Sequence, residues 1–324
     1  MSDSKVLDLV LLLALPASGK SEVRRYLRHV SAEERKSHFH IGPTLQLDDF
    51  PYVHLMRVID DVLHKMAKPR LYFDAPERSF QDGRDWGTLI ELINEDFTDL
   101  QLRREVEAPS SAYLSMDRLE AAALSVGIGP RLAALDPITR AALASAIEHE
   151  AKGVLGEKAA APVTLEGQTI IAEFARGGAE GSPVPIAGPY GYQYSLSHLS
   201  PAILERASIL YIWVTPEESR RKNAARADPN DPGSILHHSV PEYVMRKDYG
   251  VDDMDWLESS SEKAGCVTVK AHGRKFHLPI ARFDNRVDRT SFLRDDPEKW
   301  APAAVSAVHE SLRMAFERLA SSRG

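Results

Sequence analysis

The chain has 324 residues, a net charge of −7 and a pI of about 6.0, with 43% hydrophobic and 27% charged residues. This composition predicts a globular protein with a substantial core and disfavours an extended nucleic-acid-binding surface. Cys266 is the sole cysteine, which excludes an intrachain disulfide and a cysteine-cluster zinc site and is typical of a reducing cytosol, so we expect a cytoplasmic protein.

The first predicted element is an apolar strand that ends at Leu13, and a helix is predicted from about Lys20 to Val30. The apolar run is interrupted by Asp8 and is far too short to span a bilayer. It also lacks a following segment typical of a signal-peptide cleavage site. A buried parallel strand explains it better, and we expect no association with a membrane.

The segment between this strand and this helix reads A-x-x-x-x-G-K-S over residues 14–21 and departs from the phosphate-loop pattern G-x-x-x-x-G-K-[ST] only at Ala14. In such a loop, backbone N–H groups and the helix N-terminus bind phosphates. Lys20 would reach the β- and γ-phosphates, and the Ser21 hydroxyl would hold Mg²⁺. Gly19 permits close backbone approach. A chance match is the alternative, but the flanking strand and helix supply the required context.

This strand, loop and helix resemble the relaxed Walker A motif of P-loop NTPases, in which alanine occurs at the first position. The resemblance implies that the loop binds ATP together with Mg²⁺. The implied nucleotide-binding residues are Ala14, Ala17, Ser18, Gly19, Lys20, Ser21 and Glu22.

A capping box at Ser31-Ala32-Glu33-Glu34 predicts a short helix, and residues 44–49 predict a second strand that ends in two carboxylates. From residue 52 to about 161 the apolar spacing is mainly helical. We interpret residues 51–165 as a helical insertion in the sheet domain.

Asp48 and Asp49 follow the second strand. A kinase that acts on an alcohol needs a carboxylate to accept or orient the hydroxyl proton. The stretch Leu47-Asp48-Asp49-Phe50-Pro51 resembles the Asp-Asp-Phe stretch of uridine kinase-like and nicotinamide riboside kinase-like enzymes, which implies that one of the two aspartates is the catalytic base. Alternatively, the pair caps the helix that begins near Pro51.

Residues 168–174 predict a third strand, at whose end lie Glu173 and, three residues later, Arg176. The pair resembles the Walker B or Glu-x-x-Arg region of deoxynucleoside kinase-like proteins. Glu173 would hold Mg²⁺ or bind a substrate hydroxyl, and Arg176 would bind phosphate. A surface salt bridge is the alternative reading.

A predicted helix covers residues 199–206, and a fourth strand covers residues 207–214. The next helix, from Pro216, carries Arg220, Arg221 and Arg226, followed by Asp228-Pro229-Asn230-Asp231-Pro232-Gly233. This region resembles the lid of small-molecule P-loop kinases, which implies that these arginines stabilise the transition state. A solvated charged helix with Glu–Arg pairs is the alternative.

Residues 266–269 and 275–283 predict a further strand or hairpin, and residues 298–319 predict an amphipathic terminal helix. By resemblance, Asn285, after the last strand, would approach the adenine, although a plain turn fits its sequence equally well. His237-His238 lies past the proposed lid, and no histidine pair has convincing metal spacing.

Strands alternating with helices predict an α/β fold with a P-loop NTPase-type parallel sheet covered by helices on both faces. We expect a single domain with its core in residues 1–50 and 166–290, the insertion in 51–165 and a C-terminal helix in 296–322. Ligands of such sheets bind beyond the carboxyl ends of the strands.

These features predict an ATP- and Mg²⁺-dependent kinase that transfers the γ-phosphate to a hydroxyl or phosphate of an unidentified small molecule, such as a nucleoside, nucleotide or sugar. One alternative is an NTPase that couples ATP hydrolysis to a partner, although the missing Asn-Lys-x-Asp motif disfavours a G protein. Another is a binding module with a vestigial loop. A kinase-type toxin or a polynucleotide-end kinase would share the same core. The sequence leaves the acceptor and the oligomeric state open.

Overall fold

A computed structural model describes residues 6–104, 108–156, 164–226 and 239–323. Its strands are β1 (Leu9–Leu13), β2 (Thr44–Asp48), β3 (Thr169–Phe174), β4 (Ala207–Trp213), β5 (Cys266–Ala271) and β6 (Arg274–Asp284). Its α-helices are α1 (Lys20–His29), α2 (Ala32–Phe39), α3 (Phe50–Lys65), α4 (Asp85–Leu102), α5 (Ser111–Ser125), α6 (Pro137–Gly156), α7 (Gly191–His198), α8 (Pro201–Leu204), α9 (Pro216–Arg226), α10 (Glu242–Asp248), α11 (Met254–Ser259) and α12 (Pro302–Ser321). None of the helices in these ranges is both long and apolar enough to cross a bilayer.

The six strands form one sheet in the order β2-β3-β1-β4-β6-β5. All neighbouring pairs are parallel except β5 and β6, which form an antiparallel hairpin at one edge. His272 and Gly273 join these two strands, and both have positive φ, as two-residue hairpin turns require. The predicted α/β fold with a mostly parallel sheet is therefore confirmed.

Helices pack against both faces of the sheet, which is why β1 is an uninterrupted apolar run. Leu9, Leu11 and Leu13 face a core that includes residues of α4, α7, α8 and α11. Val10 and Leu12 face the opposite core, to which α1, α2 and α12 contribute. The central strand is thus removed from water on both sides.

Helices α3 to α6 build a further core of their own, centred on residues such as Leu55, Ile59 and Leu143. The same core includes Leu15 and Val214, which follow β1 and β4. The helical segment therefore packs over the carboxyl ends of the central strands, where the sequence predicts the ligand.

Two helix predictions differ from the structure at prolines. Of the helix predicted over residues 199–206, only α8 forms, and it begins at Pro201 because a residue that precedes proline is driven out of the helical region. The helix α7, which ends just before this range, was not predicted. Ser200 has the extended value ψ 152°. Likewise α12 begins at Pro302 and not at residue 298, after Ala301 in an extended conformation.

Candidate functional site

The site lies at the carboxyl end of β1, the central strand. After β1 the chain builds β2 and β3 on one side of it, and then β4 and β6 on the other. Such a switch in the direction of strand order leaves a crevice beyond the strand ends. Asp48 and Glu173 are register neighbours on β2 and β3, so their carboxylates flank this crevice.

The loop after β1 places Gly19 at the N-cap of α1 with φ 109°, a left-handed conformation, and no side chain caps this helix end. A Cβ atom on Gly19 would lie 2.6 Å from Thr290 Oγ1 and 2.8 Å from Asn285 Nδ2. Glycine is therefore required here both by the backbone conformation and by the lack of space. The uncapped helix N-terminus leaves N–H groups for an anion.

Side chains from distant segments hold this loop from behind. Asn285 Nδ2 donates to the carbonyl oxygen of Ser18 at 2.6 Å and to Thr290 Oγ1 at 2.9 Å. Ser219 Oγ donates to the carbonyl oxygen of Pro16 at 2.7 Å. Asn285 is fully buried and does not line the cavity described below, so its role in the structure is to support the loop. The sequence instead predicts that Asn285 approaches the adenine.

Lys20 lies between the loop and the carboxylates. Its Nζ is 3.3 Å from the carbonyl oxygen of Ala14, to which it donates, and 3.9 Å from Glu173 Oε1. Burial lowers the pKa of Lys20, and the Glu173 carboxylate opposes that shift. The Lys20 ammonium group therefore lines the cavity between the phosphate loop and the Glu173 carboxylate.

Glu173 is buried at the end of β3. Burial, with a further contribution from Asp48, raises the pKa of Glu173 to about 7, although Lys20 and Arg24 oppose the shift. Arg24 Nε lies 3.1 Å from Glu173 Oε2, yet neither atom has a hydrogen-bond partner among the described residues. This buried carboxylate therefore lies between two cations, Lys20 and Arg24, next to the phosphate loop.

The two aspartates after β2 have different surroundings. Asp48 Oδ1 accepts the N–H of Phe50 at 2.9 Å, so Asp48 also supports the start of α3. Asp49 Oδ2 accepts from Arg176 Nη1 at 2.6 Å, and burial raises the pKa of Asp49 despite that cation. Both aspartates line the cavity.

Arg176 lies behind Asp49 and does not line the cavity. Its guanidinium also donates from Nε to Ser195 Oγ at 2.8 Å and lies over the ring of Trp86, 4.8 Å from the centroid. Only 1% of the residue is exposed. Arg176 therefore holds Asp49 in place. The sequence instead predicts that Arg176 contacts the substrate phosphate.

The lid arginines separate into two groups. Arg226 lines the cavity and donates to Glu22 Oε1 at 2.8 Å. Arg220 is paired with Glu180 and Glu217, and the exposed Arg221 is paired with Glu218, as the charged-helix alternative anticipates. Neither of these two lines the cavity.

Glu22 does not line the cavity, although the sequence places it among the nucleotide ligands. Burial pushes its pKa upward, but Arg226 and Arg294 outweigh this effect and hold the pKa below its ordinary value. Glu22 therefore fixes Arg226 in place. The rest of the predicted lid, residues 228–233, and His237-His238 fall outside the described residues.

A single cavity of about 220 Å³ runs from the phosphate loop past the carboxylates into the helical segment. Its loop end is lined by Pro16, Ala17, Ser18, Lys20, Ser21, Arg24, Asp48, Asp49, Glu173, Asn223 and Arg226. Its other end, which we name the aromatic chamber, is lined by Phe50, Val53, Phe73, Phe80, Trp86, Val244 and Tyr249, with the polar residues His54, Arg57, Ser79 and Asp248.

The chamber walls are aromatic rings packed against one another. Phe73 and Phe80 stack with centroids 4.6 Å apart, Trp86 meets Phe80 edge-on at 5.0 Å, and Tyr249 meets Trp86 edge-on at 5.9 Å. The sequence does not predict this chamber. Its residues come from α3, the loop before α4, α4 itself and the α10 region, and no local motif links them.

Among the described residues, no group of three or more His, Cys, Asp or Glu side chains could hold a metal ion. The predicted Mg²⁺ ligands Ser21 and Glu173 nevertheless both line the cavity. No family model, curated protein or solved structure matches this chain. A functional assignment therefore depends on the loop and the cavity.

Proposed function

We propose that this protein is an ATP- and Mg²⁺-dependent kinase that phosphorylates a small molecule. The observation that carries the proposal is the cavity, which joins a phosphate-loop sequence at one end to the aromatic chamber at the other. Phosphoryl transfer requires two substrates in line, with the acceptor hydroxyl facing the γ-phosphate. Asp48 and Asp49 line the stretch of cavity where the two would meet.

Unsatisfied polar atoms at the loop end support a ligand there. Ser18 Oγ and Arg226 Nε are buried, belong to cavity-lining residues and have no hydrogen-bond partner among the described residues. Burying a polar atom without a partner costs free energy, so such atoms suggest a bound group. Triphosphate oxygens would accept from Ser18, Lys20 and the free N–H groups of α1.

The residues present also fit Mg²⁺. Magnesium is usually held by one or two carboxylates together with waters and substrate phosphates, so a dedicated cluster of three acidic residues is unnecessary. Ser21, Glu173 and Asp48 supply the oxygen ligands for such a site. When bound, the ion would neutralise charge on the phosphates.

We assign proton acceptance from the acceptor hydroxyl to Asp49. Its Oδ2 is held by Arg176, which fixes the carboxylate, and its raised pKa brings it closer to the range that suits a general base. Arg226, which Glu22 holds at the cavity, would stabilise charge on the transferring phosphoryl group. The single buried cysteine is compatible with a cytoplasmic enzyme.

The test is ATP consumption by the purified chain with Mg²⁺, with and without a panel of nucleosides, sugars and amino alcohols, read by mass spectrometry of the acceptors. Turnover that depends on an acceptor and adds a phosphate mass to it would support a kinase. Phosphate release that is the same with and without every acceptor would favour the NTPase alternative. Absence of ATP binding would overturn the proposal.

A variant series should show the same dependence. Lys20→Ala combined with Ser21→Ala should lower kcat by at least about 100-fold, the usual cost of losing a transition-state donor. Lys299→Ala changes a lysine whose side chain is 70% exposed and should leave turnover unchanged. Equal turnover in wild type and the double variant would contradict the role of the loop.

A further inference from the structure

Asp248, at the end of α10, is a buried carboxylate of the aromatic chamber, and the Ser79 hydroxyl lies beside it. Only 2% of the residue is exposed, yet it lines the cavity. Its Oδ1 atom has no hydrogen-bond partner among the described residues. A buried carboxylate oxygen in this state is unfavourable unless a ligand donates to it.

Two cationic side chains, Arg57 and Lys247, are near enough to Asp248 to affect its charge. Arg57 donates from Nη1 to the carbonyl oxygen of Pro76 at 2.6 Å, and its guanidinium lies over the Phe73 ring at 3.9 Å. In the described part of the chain, neither Arg57 nor the neighbouring Lys247 forms an ion pair with Asp248 within 4.0 Å, and both act on it through charge at longer range. Burial raises the pKa of Asp248 to about 6, although the Ser79 hydroxyl, Lys247 and Arg57 oppose the shift.

The rings that line the chamber favour a ligand with an apolar or aromatic body. Phe73, Phe80, Trp86 and Tyr249 line the chamber and pack against one another, with Arg57 over the Phe73 ring and Arg176 over the Trp86 ring. The rings therefore offer an apolar wall to the body of a ligand, whereas Asp248 offers a partner for its charge. A buried carboxylate and aromatic walls in one chamber together fit an ammonium group attached to an apolar or aromatic body.

We propose that the phosphate acceptor is a cationic amino alcohol. Its ammonium group donates to Asp248 in the aromatic chamber, and its hydroxyl group reaches Asp49 at the loop end of the cavity. In the transfer, the hydroxyl oxygen bonds to the γ-phosphorus, the bond to the β,γ-bridging oxygen breaks, and the hydroxyl proton passes to the Asp49 carboxylate. ADP leaves with the bond electrons. This inference rests on the proposed kinase function and specifies its substrate class.

The test compares two alcohols that differ only by the amine, 2-amino-3-phenylpropan-1-ol and 3-phenylpropan-1-ol. Binding of each to the full chain is measured by calorimetry at pH 7.5, with ATP binding measured on the same preparation. We expect the amino alcohol to bind about 10- to 100-fold more tightly, as for a hydrogen bond to a charged partner. We also expect the amino alcohol alone to be phosphorylated.

Asp248→Asn preserves the shape of the side chain but removes its charge, and it should abolish the preference for the amine. Asp252→Asn is the matched control. Burial also raises the pKa of Asp252 to about 6, but Asp252 accepts from Tyr211 and lies outside the cavity lining. That variant should keep the preference.

The results separate failure of the amino-alcohol proposal from failure of the proposed kinase function. Equal binding of the two alcohols, binding of neither, or a preference that survives in Asp248→Asn would overturn the amino-alcohol proposal. If ATP still binds in those cases and another acceptor on the panel is phosphorylated, the kinase function stands. If ATP does not bind, the kinase function itself fails.

Discussion

The two ends of the cavity are built in opposite ways. At the loop end, charged side chains are arranged in ion pairs, such as Arg226 with Glu22 and Arg176 with Asp49, around a backbone that presents N–H groups. At the chamber end, aromatic rings pack against one another, and Asp248 Oδ1 has no hydrogen-bond partner among the described residues. If the loop end binds the triphosphate and the chamber binds the acceptor, as we propose, changes at the two ends should affect different substrates.

The largest effect on stability should come from Arg176→Met, which leaves Asp49 buried without its cation. We expect the free energy of unfolding to fall by about 3–5 kcal/mol, the usual cost of breaking a buried ion pair. Asp49→Asn in the same chain should recover part of this loss because the uncompensated charge is gone. Denaturant unfolding of both single variants and the double variant measures the coupling, and strictly additive effects would contradict the ion pair.

Gly19→Ala should impair the loop end specifically. The added Cβ would lie within 2.8 Å of both Thr290 and Asn285, in a left-handed conformation that alanine rarely adopts. We expect a loss of about 1–3 kcal/mol in stability, together with weaker ATP binding. Gly129→Ala is the matched control, because a Cβ there meets no atom within 4 Å. Unchanged ATP affinity in Gly19→Ala would be inconsistent with a phosphate-binding loop.

Glu173 predicts a pH dependence of stability. Its pKa rises from 4.5 to about 7 on folding, mainly through burial, so the folded state binds the proton more tightly than the unfolded state. Its contribution is therefore fully present below pH 4.5 and is lost as pH rises through about 7. Without ligand, the free energy of unfolding of Glu173→Gln relative to wild type should increase by about 1–3 kcal/mol as the pH rises from 4.5 to about 7. Parallel stability curves for the two proteins would contradict this shift.

The smallest effect should follow from Phe80→Leu in the aromatic chamber. We expect KM for the acceptor to rise about 3- to 10-fold, while KM for ATP and kcat stay unchanged, because only uniform acceptor binding is lost. Phe276→Leu is the matched control, since Phe276 is equally buried, at 7% exposure, but lies in the β6 strand away from the cavity. An equal rise in KM for ATP would remove the distinction between the two ends.

Local sequence was sufficient wherever one segment determines its own structure. The apolar run of β1 and the capping box of α2 predict their elements well, and Ser31 Oγ does accept the N–H of Glu34. Predictions of which side chains face the cavity were only partly correct. Arg220, Arg221 and Arg226 share one helix, yet only Arg226 lines the cavity, because neighbouring glutamates hold the others.

The sequence by itself determined the alternation of strands and helices, and it marked the loop from Ala14 to Ser21, because hydrophobic period and glycine chemistry are local properties. Tertiary structure alone decided that Asn285 supports the loop, that Arg176 supports Asp49 and that rings from separate segments line one cavity together with Asp248. These contacts join residues far apart in the chain. They arise from packing between elements, which no local pattern specifies.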